Sequence, residues 1–411
     1  MRRLAAVVIA GAALWLAPGA FAAGWCGTAA SATDVADTVA GEQVHLIYAI
    51  PSDGADNFPV VANRMADDAV SITNWWTGQD STRTPRFDEA ALTGGTCVDI
   101  SSVRLPDPAA SLIGASTAFQ RVATDLINLG FGSDYKRYVV YYDGPSVEAN
   151  ICGTGAGDFG HGLGFAIVWL AGCSSAPSDA VAAHELVHAL GAVPTGAPHE
   201  CPAPHDMHVC DSAVDLMYWQ DSGLPLVNRF LDVGHDDYYE HATNGVDIRN
   251  SAWLRHLDTP QQPLAVQVVG PGTLVSDIPG VKCASCTTLW DQGWSPTLFP
   301  VADGGHRFVR WSGACTGTGS CTVQMTGPQT VTALFGPERV DLHVTTAGRG
   351  RVACTPSCTK RFKAGDALTL RAVPAKGWKF TGWSGGCKGA RPVCKPATDF
   401  ALSVRATFRK R

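Results

Sequence analysis

His184-Glu185-Leu186-Val187-His188 sets two imidazoles four residues apart with a carboxylate beside the first. On an α-helix, residues i and i+4 share one face a turn apart, so both imidazoles can reach one metal ion. Neutral histidine nitrogens bind zinc at about 2 Å. Glu185 is too short to reach the same coordination position easily, which leaves it free to take a proton from a water held there. Zinc in such a site lowers the pKa of water and polarises a carbonyl, so the chemistry implied is hydrolysis near neutral pH.

A helix must present these groups, and the run from Asp179 to Gly191 reads as one. Its small and apolar residues suit a helix, and Gly191 can release the chain near its end. A buried histidine pair on an ordinary helix is the plainer alternative. The residues that follow weigh against it.

Gly191 stands three places after His188, and HVCDSAVDLMYW follows further on. With these residues the chain resembles the metzincin clan of zinc peptidases, whose active-site helix carries HExxHxxG and whose metal lies above a methionine turn. His184, Glu185, His188 and Gly191 match the first part, and Met217 in DLMY is the candidate turn methionine. The resemblance implies zinc as cofactor, a protein or peptide substrate and endopeptidase activity. The chain departs from the pattern at Pro194, where the compact motif has its third histidine. The stretch GAVPTGAPHECPAPHDMHVCD looks like a secreted bacterial subgroup with an inserted loop, and it offers His208 first, beside Cys210 and shortly before Met217. His199 comes next, then His205 or Asp211. Some relatives carry a tyrosine two places after the turn methionine. Trp219 stands there instead, so Tyr218 or another nearby tyrosine is left as candidate oxyanion donor.

Cys201 and Cys210 bracket His205 and His208, which makes a local disulfide the economical pairing and a means of ordering the ligand loop. Cys26, Cys97, Cys152 and Cys173 then allow three connectivities. Fourteen cysteines suit an oxidising compartment. Arg2 and Arg3, a short apolar run and Ala20-Phe21-Ala22 read as a secretory leader cleaved near Ala23, so the protein is expected to be secreted, with no transmembrane anchor. No propeptide of inhibitory length is evident between Ala23 and Val44.

Mixed patterning precedes the motif. VHLIYAI and KRYVVYYDG read as strands, FPVVANRMADDAVSITNWW and ASTAFQRVATDLINLGF as helices. The glycine-rich GTGAGDFGHGLGFAIVWL should hold an exposed loop and a strand that could pair with an extended peptide. Its His161 reads as a loop residue rather than a ligand. Beyond Met217, LDVGHDDYYEH is rich in acids but lacks the ligand spacing of a calcium-binding EF-hand, so a helix cap or cleft wall is the preferred reading.

The last third is a duplication. PGVKCASC and RVACTPSC, then HRFVRWSGACTGTGSC and WKFTGWSGGCKGARPVC, recur about 72 residues apart, with four cysteines and one WSG tryptophan, Trp311 or Trp383, in each copy. Each copy reads as a small β module, similar to the divergent β-repeat modules of bacterial surface and secreted proteins. The expected architecture is therefore an α/β (α+β) metzincin-like zinc-peptidase domain followed by two small disulfide-stabilised all-β repeat modules. Its boundaries are a leader at 1–22, the peptidase domain at 23–258, a linker at 259–264 and the modules at 265–336 and 337–411.

Residues 337–411 carry sixteen Lys/Arg against four Asp/Glu, a net +12, while the whole chain is −6 and the remainder therefore −18. The last module is thus a candidate contact for an anionic polymer or cell surface, and no motif points to a specific nucleic acid. A noncatalytic surface-binding protein with a structural zinc is the competing class, separated from the enzyme by whether the metal keeps an open coordination position.

Overall fold

The computed structural model describes residues 25–27, 30–157, 162–172, 176–220, 223–241, 246–358 and 361–411. The expected leader, His161 and Cys173 lie outside them. The chain divides into two compact units, the first comprising 1–34, 44–81 and 92–251 and the second 35–43, 82–91 and 252–411.

The first unit is a mixed α/β layer structure. Strands β1 (Gln43–Ile50), β2 (Ile100–Arg104), β3 (Lys136–Tyr142), β4 (Gly153–Ala156) and β5 (Gly164–Trp169) form one sheet in the order β2-β1-β3-β5-β4. Pairing is parallel for β1 with β2 and for β3 with β5, and β4 runs antiparallel along the edge. β1, β3 and β5 are buried along their whole length, as strands covered on both faces must be. Helix α2 (Ala115–Asn128) covers one face, where Ala118, Val122 and Leu126 pack with Ile47, Val140 and Ile167. Strand residues of opposite parity meet α1 (Phe58–Gln79), as when the Tyr141 hydroxyl donates to Asp68 at 2.9 Å. Helix α3 (Ser178–Ala189) carries the HELVH residues. It is tied to α1 by Arg64 Nε donating to Ser178 Oγ at 2.7 Å and Ser71 Oγ donating to Asp179 at 2.6 Å. Cys26 is bonded to Cys97, which selects one of the three connectivities, and Cys152 is also in a disulfide.

The second unit holds both repeats. Each builds a four-stranded sheet with a parallel central pair flanked by antiparallel strands. The order is Ser285–Asp291, Gln261–Val269, Gln329–Pro337, His306–Gly313 in the first copy and Arg361–Lys363, Arg339–Ala347, Leu402–Lys410, Trp378–Gly385 in the second. A register shift recurs at Phe308/Arg310 and Phe380/Gly382. Cys283–Cys286, Cys315–Cys321, Cys354–Cys358 and Cys387–Cys394 close small rings in the two copies and so restrict the unfolded chain. Trp311 and Trp383 are core residues, each donating its indole N–H at 2.8 Å to a loop carbonyl, Gly319 and Arg391 respectively. Residues 35–43 and 82–91 pack on the first copy. Val39 bridges Leu289, and buried Arg86 pairs with buried Asp291 at 3.0 Å. No helix among the described residues is long and apolar enough to cross a membrane.

Candidate metal centre

The α3 helix ends where Gly191 adopts φ +85°, a backbone region that only glycine enters without strain. Gly191 N donates to the His188 carbonyl and Ala192 N to the Val187 carbonyl, the paired bonds of a Schellman cap. The chain then turns back, and a loop closed by the Cys201–Cys210 disulfide returns His208 to the helix. His208 follows Met207, which sits at φ +68°.

The rings of His184, His188 and His208 converge. Their centroids are 4.9, 5.3 and 4.7 Å apart for the pairs 184–188, 184–208 and 188–208, and one nitrogen of each lies within 4.8 Å of the others. His184 Nδ1 donates to the Leu216 carbonyl at 2.6 Å and His208 Nδ1 to the Asp206 carbonyl at 3.2 Å. Those bonds select the tautomer with a bare Nε2, the orientation that a metal-ligating histidine needs. Nε2 of His188 and Nε2 of His208 face each other at 3.2 Å. His188 has no hydrogen-bond partner on Nδ1, so either its own Nε2 proton or a cation shared by both rings lies in that gap.

Electrostatics favour neutral rings. Burial, the His208 ring and Arg229 hold His184 down to about 3, despite the bond to Leu216. Burial and the two neighbouring imidazoles hold His188 well below the usual histidine range, and burial lowers His208 too. Burial pushes Glu185 up to about 8. A cation held by the three imidazoles would offset that, favouring the carboxylate. The donor set therefore fits a metal ion: three neutral nitrogens, two oriented by backbone carbonyls, with a buried carboxyl alongside.

The methionine turn is built on a buried carboxylate. Asp215 accepts from Met217 N at 2.7 Å, from Val233 N at 2.7 Å and from the Tyr238 hydroxyl at 2.9 Å, which fixes the Leu216 carbonyl that holds His184. Met217 is fully buried. Residues 231–241 form no helix of their own. They wind instead around Asp232, whose carboxylate accepts from the backbone N–H groups of Asp236, Asp237, Tyr238 and Tyr239.

The other proposed third ligands lie elsewhere. His199 Nδ1 is 3.0 Å from Asp237, which raises its pKa, with Asp236 and Asp211 at 3.7 and 4.0 Å. His205 packs on Trp219, centroids 4.2 Å apart. Sequence reasoning missed the partnership between β4 and α3. A β-carbon at Gly153 would stand 2.4 Å from Glu185 Oε1, and one at Gly155 would stand 2.5 Å from the Glu185 carbonyl and 2.8 Å from His188 Cβ. At Gly157 it would meet the Ala189 carbonyl at 2.2 Å. Glycine at every second position of an edge strand was the available signal, because alternate residues share one face.

Residues 279–339 and 340–411 each match the family model of the divergent InlB B-repeat domain. No curated protein matches the chain in sequence. Among solved structures it is similar to wild-type OgpA from Akkermansia muciniphila, at 12% identity over 91% of this chain and 97% of that one, TM-score 0.30. Catalytically inactive OgpA in complex with an O-glycopeptide substrate, glycodrosocin, aligns at 11% identity over 84% and 92%, TM-score 0.27. The major pilin protein T-13 from Streptococcus pyogenes aligns at 12% identity over 37% and 98%, TM-score 0.14.

Proposed function

We propose that the protein is a secreted zinc endopeptidase, with His184, His188 and His208 holding the metal and Glu185 as general base. The observation that carries this is the convergence of three neutral imidazoles, two with Nδ1 on backbone carbonyls, beside a buried glutamate. Zinc held by these three histidines would supply a Lewis acid for the scissile carbonyl and lower the pKa of a water. Glu185 is placed to accept a proton from an attacking water and to return it to the departing amine. Its carboxyl lies close to Gly153 and is shielded from solvent, which keeps its proton affinity responsive to nearby charge. His184 and His208 stay neutral and oriented through Leu216 and Asp206. Along the sheet edge, β4 offers backbone groups to an extended peptide, the mode in which main-chain hydrogen bonds align a substrate.

Glu185→Gln tests the reading on a mixture of unfolded proteins, with bound zinc measured in both forms. The expected result is equal zinc content and peptide-bond cleavage by wild type alone. Zinc in both and cleavage by neither, across varied substrates, would favour the noncatalytic surface-binding protein with a structural zinc.

A further inference from the structure

The two repeats share a fold but not a surface. In each four-stranded sheet, alternate residues face the core. Leu342, Val404, Ala406, Phe408 and Trp383 do so in the second copy, which leaves the intervening positions outside. Register then places six exposed cations on that outer face. Lys379 is opposite Arg409, Arg405 lies four residues before Arg409 on the same strand and so on the same face, and Arg339 is opposite Lys363 beside Arg361. In the first copy the equivalent places hold Arg307, Gly336, Thr332, Gln261, Asp291 and Leu289. Arg307 there is paired with Asp399, and Asp291 with Arg86. The first face is therefore charge-balanced and partly covered, whereas the second is exposed and cationic. The acid among its outward positions is Asp341, 4.0 Å from Arg361.

The cations follow a line. Arg339 lies three residues before Leu342, which is level with Leu402, so Arg339 and Arg409 are ten residues apart in level, roughly 33 Å at 3.3 Å per residue. From Lys379 on one edge strand the track crosses Arg409 and Arg405, passes His343 and reaches Arg339, Arg361 and Lys363 on the opposite edge. Hydroxyls are interleaved with the charges: Thr345 and Ser384 flank Arg405 on its two neighbouring strands, and Ser403 and Thr407 lie on its own. The outward positions of these strands carry no phenylalanine, tyrosine or tryptophan on which a base could stack, His343 being their one ring, and no large apolar side chain to enter a bilayer.

We propose that this face of the second repeat binds a linear anionic polysaccharide laid diagonally across the four strands. Charge complementarity supplies the attraction, the hydroxyls match a polymer that carries hydroxyls of its own, and the diagonal suits a chain better than a compact anion. The proposal is independent of the metal centre.

The test uses the full chain and dextran sulfate as probe, with neutral dextran, oligodeoxythymidylate and phosphatidylserine vesicles alongside. Wild type should bind dextran sulfate in a salt-sensitive manner and ahead of the other probes. Lys379→Glu with Arg405→Glu and Arg409→Glu should weaken binding about tenfold or more. Arg349→Glu with Arg351→Glu and Lys376→Glu changes net charge equally, off the track, and should cost less than about threefold. Arg405→Gln with Arg409→Gln, which keep length and polarity, should shift affinity in the same direction as the triple variant, so misfolding of that variant does not decide the matter. Equal losses in the two triple variants, equal binding of oligodeoxythymidylate or vesicles, or no binding of dextran sulfate would each overturn the proposal.

Discussion

Glu185 lies so close to Gly153 that a β-carbon there would stand 2.4 Å from its Oε1, well inside van der Waals contact. The edge strand is therefore part of what positions the proposed base. Gly153→Ala must push the carboxyl aside, and misplacement on the order of 1 Å costs about a hundredfold in rate. The expected outcome is a fall in kcat of about tenfold to a hundredfold with zinc content unchanged, read from steady-state kinetics and metal analysis. Gly155→Ala meets backbone instead and should lower stability by about 1–3 kcal/mol in a denaturant titration.

Removing a proposed ligand differs from removing a neighbour. His208→Ala should weaken zinc binding by more than the roughly 10–100-fold typical of a lost outer-shell partner. His199→Ala and His205→Ala should leave zinc affinity within a few-fold of wild type, since His199 is held by Asp237 and His205 by Trp219. Competition against a chelator of known affinity separates the three. Zinc loss in the His199 variant with retention in the His208 variant would reassign the third ligand.

The loop that carries His208 is closed by a disulfide of sequence separation 9. Cys201→Ser with Cys210→Ser should cost about 2–3 kcal/mol through the unfolded chain. It should also loosen His208, lowering zinc affinity. Equilibrium unfolding with and without zinc distinguishes the effects, because weaker binding enlarges the loss only when metal is present.

Burial pushes the Asp68 carboxyl up to about 6, although the Tyr141 hydroxyl donates to it. An unfolded aspartate releases its proton near 4. Between these values the folded state binds more protons, so stability falls as pH rises from about 4 to 6 and is regained on acidification. Asp68→Asn removes that contribution. The difference in unfolding free energy between pH 7 and pH 5 should shrink by about 1–2 kcal/mol. Asp215 is likewise pushed up to about 6 by burial and should leave a residual slope of the same sign in the variant. An unchanged slope in Asp68→Asn would show that Asp68 titrates normally.

Much of this molecule is readable along the chain, and for one reason. HELVH, the Gly191 stop, the Cys201–Cys210 ring and the two WSG-containing copies are local patterns, set by helical and strand periods and by short loop closure. The +12 of residues 337–411 is equally a matter of counting. Residues 231–241 read less well, because a run of acids and tyrosines does not reveal that one of them, Asp232, gathers the backbone of the others around itself. Which histidine joins His184 and His188 depended on where a twenty-residue excursion returns. That is decided by Met207, the disulfide and the Asp215-built turn acting together in space. The contact of Gly153 with Glu185 and the elevated proton affinity of Asp68 likewise come from surfaces meeting across distant segments. Composition along the chain determined how many cations the second repeat carries, and strand register alone decided that six of them share one face, because pairing across strands sets which side chains are neighbours.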